Sequence, residues 1–112
     1  MTNDEKVEQL RTLLAEDAEV ATDELLNVLI EDAESIVLER RYPFGYEEGT
    51  PVPSKYERIQ IRIALELYNR MGAEGQTSHN ENGMQRSYNG GFVSTHLLKQ
   101  IVPIVGSVTK GD

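Results

Sequence analysis

The chain has 112 residues, net charge −8, no Cys, no Trp and only seven Phe and Tyr residues. That length predicts one domain, 1–112, with a core built mostly from Leu, Ile and Val. Disulfides, thiolate metal sites and cysteine nucleophiles are excluded, and no apolar run is long enough to cross a membrane. The first residues, Met1 to Glu5, lack a basic or apolar signal region, which predicts a cytosolic protein when made.

Charge is unevenly distributed. Residues 1–40 hold twelve acids and three bases, whereas residues 41–112 hold seven acids and eight bases. Net negative charge repels phosphate backbones and speaks against tight nonspecific DNA binding. A solvated acidic helix face accounts for most of it.

Thr2 and Glu5 form a capping-box pattern that predicts the start of helix one. Val7, Leu10, Leu13 and Leu14 give it a narrow apolar stripe. A polar break spans Glu16 to Ala21. Helix two starts near Thr22, with Asp23 and Glu24 placed against the positive end of the dipole and Arg40 and Arg41 at the other end. Leu25, Leu26, Leu29, Ile30, Ala33, Ile36 and Val37 repeat at the helical period.

Tyr42 to Pro53 reads as a connector, because its prolines and glycines stop helices and fix turns. At least one of Tyr42, Phe44 and Tyr46 is expected to fold back over the core. Ser54 and Glu57 predict a second capping box opening helix three, which runs to Met71 with Gly72 as its C-terminal cap. Tyr56, Ile59, Ile63 and Leu67 make one apolar face of this helix, and Ile61, Leu65 and Tyr68 a second. A helix apolar on two sides is either central to its domain or shared with a neighbouring molecule. Its polar arc carries Arg58, Arg62, Glu66 and Asn69. Arg62 and Arg70 each stand four residues from Glu66, which predicts local ion pairs.

Residues 73–91 form a long polar loop. Loops of that length in small domains are functional or disordered. Asn82-Gly83 and Asn89-Gly90 are turn signals, so a short hairpin and an irregular loop are both open. Helix four starts near Ser94 or Thr95, carries Leu97, Leu98, Ile101 and Val102, and kinks or ends at Pro103. Residues 105–112 form a tail, apolar at Val105 and Val108. The expected fold is therefore an all-α, small four-helix bundle with a long loop between helices three and four.

A search for chemistry finds little. The histidines are His79 and His96, and neither belongs to a metal-ligand spacing. Nucleophile-elbow and phosphate-loop patterns are missing. Paired acids such as Glu16-Asp17 and Glu31-Asp32 are better explained as solvated faces. No catalytic residue, cofactor or metal is assigned, and the residues point to contact between proteins.

At the loop the sequence meets a known pattern. Tyr68-Asn69-Arg70, Gly72-Ala73-Glu74-Gly75-Gln76, Ser78-His79, Glu81-Asn82-Gly83 and Arg86-x-Tyr88 together resemble the head–tail connector (adaptor) proteins of tailed bacteriophages. These are also known as DNA-packaging proteins in phages and prophages of Gram-positive bacteria. Arg41-Tyr42-Pro43-Phe44, the proline-led third helix and a short fourth helix reaching Pro103 agree with the pattern.

The resemblance implies a non-enzymatic virion protein at the head–tail interface, assembled in the host cytoplasm. Its partners would be the portal protein, a stopper or tail-completion protein, and itself. It would form a dodecameric ring in the virion, the resemblance also allowing a monomer in solution, and DNA would pass through the channel without specific binding. Gly75, His79, Asn82, Arg86 and Tyr88 are the expected subunit or channel contacts. Ile104, Val105 and Val108 are the expected portal contacts. If the resemblance is set aside, a helical protein-binding regulatory module is the alternative.

Overall fold

The computed structural model describes residues 1–74 and 93–104, with residues 72–74 described as backbone. Among these residues three long helices and one short one follow in order: α1, Asn3–Leu14; α2, Asp23–Arg41; α3, Glu57–Glu74; and α4, Thr95–Leu98. No strand occurs among the described residues. The fold is the expected all-α bundle.

Both N-terminal caps form as their sequences dictate. The Thr2 hydroxyl accepts from Glu5 N–H at 3.1 Å while the Glu5 carboxylate accepts from Thr2 N–H at 2.8 Å. Thr22 accepts from Leu25 N–H at 3.1 Å and opens α2. Between them the chain tightens into a 3-10 turn, Ala15–Asp17, with Ala15 at φ 54°. Arg11 holds this turn: its guanidinium donates to the carbonyls of Ala18 and Ala21 and meets the Asp23 carboxylate.

The start of α3 differs from expectation. Ser54–Tyr56 is a 3-10 turn capped by Pro53, without a side-chain cap, and the α-helix begins only at Glu57. Glu57 cannot close a capping box because its carboxylate is turned toward Lys6 Nζ, 3.8 Å away, and the Met1 amino group, 3.3 Å away. The far end also differs. Gly72 does not cap α3, whose backbone stays helical to Glu74. Glycine lowers helix propensity but does not forbid helix.

α3 is the central helix. It packs on α1, α2 and α4, which explains its two apolar faces. Tyr56, Ile61, Ile63, Ala64 and Leu67 are buried, while Ile59, Leu65 and Tyr68 pack partly buried around them. α2 contributes Leu26, Leu29, Ile30, Ala33, Ile36, Val37 and Leu38, and α1 contributes Val7, Leu10 and Leu14. Leu13 falls outside the core and is exposed. Tyr42 folds back against the core as expected of one connector aromatic; Phe44 does not, being 80% exposed.

At the centre of this apolar layer stands a polar staple. Gln60, 0% exposed, accepts from Lys6 Nζ of α1 at 2.7 Å and donates to the Ile30 carbonyl of α2 at 2.9 Å. One side chain of α3 thus ties α1 and α2. Buried polar groups persist only when hydrogen-bonded, and here each partner is met.

Candidate protein-contact surfaces

α4 is a single turn rather than the longer helix expected to reach Val102. The Ser94 hydroxyl caps it, accepting from Leu97 N–H at 3.4 Å, and Ser94 N–H donates to the Glu66 carboxylate at 2.7 Å. Glu66 is therefore committed to Ser94. Among the described residues it pairs with neither Arg62 nor Arg70.

The segment from α4 to Ile104 forms a strap across the C-terminal end of α2. Arg40 Nε donates to the Leu98 carbonyl at 3.0 Å. Arg41 Nη1 donates to the Val102 carbonyl at 2.7 Å, and Ile104 N–H donates to the Arg41 carbonyl at 2.8 Å. The Tyr56 hydroxyl accepts from Val102 N–H at 3.0 Å. The Arg41 guanidinium carbon lies 5.5 Å from the Tyr56 ring centre and 6.0 Å from that of Tyr42, within cation–π range. Its buried Nε has no partner among the described residues. The helix has ended at Leu98, and Arg41 and Tyr56 take up backbone groups of the strap beyond it.

Ile104 is thus half-buried and fixed at the end of α2. The other expected portal contacts, Val105 and Val108, lie outside the described residues. So do the expected loop contacts Gly75, His79, Asn82, Arg86 and Tyr88, and the hairpin alternative.

Two hollows flank the exposed pair Arg58 and Arg62 on α3. One, of 470 Å³, lies between α3 and α4 and is lined by Ile59, Leu65, Glu66, His96, Leu97 and Gln100 besides the two arginines. The other, of 320 Å³, lies between α1 and α3 and adds Gln9, Thr12, Leu13 and Ile61. His96 is exposed, with Nε2 3.5 Å from Gln100 Nε2. No group of three potential metal ligands converges among the described residues. Apolar floors with an arginine rim suit protein contact.

The outer side of α2 is acidic. Glu24, Glu31 and Ser35 are exposed there around Val28, with Asp32 half-buried beside them. Burial, and then the neighbouring Glu31 charge, push the Asp32 carboxyl above its ordinary value of 3.8. Burial, followed by Glu39 and Glu34, likewise raises the Tyr46 hydroxyl. A carboxyl whose folded-state pKa is raised favours the fold while protonated, and that advantage is lost as pH rises through the folded value. Ionised Asp32 therefore weakens the fold at neutral pH. Asp32→Asn is expected to raise the melting temperature at pH 7, and the gain should fade below pH 3.8, where the wild-type carboxyl is protonated in both states. Thermal unfolding of both proteins across pH checks this.

Sequence reasoning missed the strap and the staple. The apolar faces it did find give no sign that Gln60, Lys6, Arg41 and Tyr56 bond across the fold, since their partners are distant in sequence.

No curated protein and no solved structure matches the chain. A family does match, over residues 4–101, which runs from the first turn of α1 through α4 and includes the capped starts of α2 and α4. The chain belongs to the phage gp6-like head-tail connector protein family.

Proposed function

We propose that this protein is a structural head–tail connector (adaptor) of a tailed phage or prophage. It assembles as a dodecameric ring on the portal vertex after DNA packaging, extends the DNA channel, and offers a docking surface to the stopper or tail. The observation that carries this reading is the family match over residues 4–101.

The physical chemistry is compatible with each part. Ring subunits meet head-to-tail through two different surfaces. The acidic side of α2 and the arginine-rimmed hollows of α3 supply two of opposite sign. A channel crossed by DNA works best without tight phosphate contacts, and a chain of net charge −8 disfavours them. The strap delivers Ile104 at a fixed point, so Val105 and Val108 start from the end of α2 in our reading that they reach the portal. The protein acts as one connector domain, without enzymatic activity, and within the virion.

Purified protein is expected to co-sediment with portal-bearing, DNA-filled heads, whereas a regulatory module would stay in the supernatant. In the loop, Arg86 provides a charge-assisted donor and Tyr88 an amphipathic anchor for a neighbouring subunit. Arg86→Ala with Tyr88→Ala should leave the monomer's unfolding free energy within about 0.5 kcal/mol of wild type but abolish head–tail joining in a complementation assay. Normal phage yield from that double variant would remove the loop from the contact surface.

A further inference from the structure

We infer that a second copy of this chain docks the acidic outer side of its α2 onto the Arg58–Arg62 face of α3, making a head-to-tail contact. This deepens the ring reading above and rests on it.

The two surfaces lie on opposite sides of the bundle. Gln60 reaches the Ile30 carbonyl, so its side chain marks the side of α3 facing α2. Arg58 and Arg62 each stand two residues away, roughly 200° around the helix. They therefore face away from α2, and both are exposed. On α2, Ile30, Ala33 and Val37 are buried in the core that α2 shares with α1 and α3. Val28, Glu31, Asp32 and Ser35 lie about 100° to 200° from Ile30 on the wheel, on the outer side. Surfaces on opposite sides cannot satisfy each other within one molecule. Between molecules they make a heterologous contact, the kind that generates rings.

Charge identifies the occupant. Among the described residues Arg58 and Arg62 have no acidic partner, and Glu31 and Asp32 have no basic one. Burial first, and then the Glu31 charge, raise the Asp32 carboxyl, and no basic side chain among the described residues pairs with it. Arginine pairs with carboxylates through two parallel hydrogen bonds, which fixes orientation as well as attraction. The apolar parts also correspond. Val28, 50% exposed at the middle of the acidic side, meets the hollow beside the arginines that Leu13 and Ile61 line.

A charge-swap pair tests the contact. Variant A carries Arg58→Glu and Arg62→Glu; variant B carries Glu31→Arg and Asp32→Arg. Both positions of each pair are at or near the surface, and circular dichroism with thermal melting verifies that A and B fold. Self-association of wild type, A, B and an equimolar A–B mixture is measured at low salt up to millimolar concentration. Sedimentation gives the stoichiometry and amide-shift mapping on ¹⁵N-labelled A gives the surface. Alone, each variant opposes like charges and should associate at least about tenfold more weakly than wild type. In the mixture every junction is again of opposite sign, because the swapped arginines of B meet the swapped acids of A while the remaining surfaces are native. The mixture should regain wild-type affinity to within about threefold, and added salt should weaken it.

A wild type that stays monomeric throughout overturns the proposal, as does association that A and B retain singly. In the second case rings form through another surface and the connector reading stands. Wild type that associates by this rule yet never loads onto portal-bearing heads keeps the contact and removes the connector reading.

Discussion

Gln60→Leu is expected to lower the unfolding free energy by about 3 kcal/mol, although leucine is also of medium size and more apolar. The substitution strands the Lys6 ammonium, which loses an acceptor at 2.7 Å and keeps only Glu57 at 3.8 Å. It also leaves the Ile30 carbonyl without the Gln60 donor. A hydrogen bond to a charged group contributes about 1.5–3 kcal/mol, and a stranded buried group adds its own desolvation cost. Adding Lys6→Met should restore most of the loss, since replacing both members of a buried polar pair by apolar residues is often neutral. Denaturant unfolding of the two single variants and the double variant closes the cycle. Additive losses would mean that Lys6 and Gln60 act independently.

Arg41→Ala is expected to cost about 2 kcal/mol, concentrated at the strap. It removes the charge-assisted bond to the Val102 carbonyl and the guanidinium between the Tyr42 and Tyr56 rings. Part of the loss is offset because the buried, unpartnered Nε disappears with it. Hydrogen exchange should separate the two layers of the molecule. The Val102 amide, which donates to the Tyr56 hydroxyl, should lose at least about tenfold in protection while amides in the middle of α2 and α3 lose less. Equal loss at all sites would mean that the strap and the three-helix core unfold as one unit.

Local rules carried the sequence reading as far as single elements reach. The Thr2 and Thr22 caps and the α2 periodicity depend on residues within a turn of each other, and all appear as read. The failures share a cause. Ser54 and Glu57 satisfy the capping-box pattern, but Lys6 from α1 draws Glu57 away. Glu66 has Arg62 and Arg70 at ion-pair spacing, but the Ser94 amide takes its carboxylate. In both cases a partner distant in sequence outcompetes a near one. The same limit applies to the candidate surfaces. Arg58 and Arg62 are plain in the sequence, but their place on the side of α3 away from α2 follows from where Gln60 points.

The opposed placement of acid on α2 and arginine on α3 makes the bundle an electric dipole running from α2 to α3. A molecule with separated charge experiences a torque in the field of another charged body before any surfaces touch. Subunits approaching one another, or approaching a larger charged assembly, would arrive already turned. Salt should then slow the rate of encounter more than it speeds dissociation. The same charges that choose the partner would also shorten the search for it.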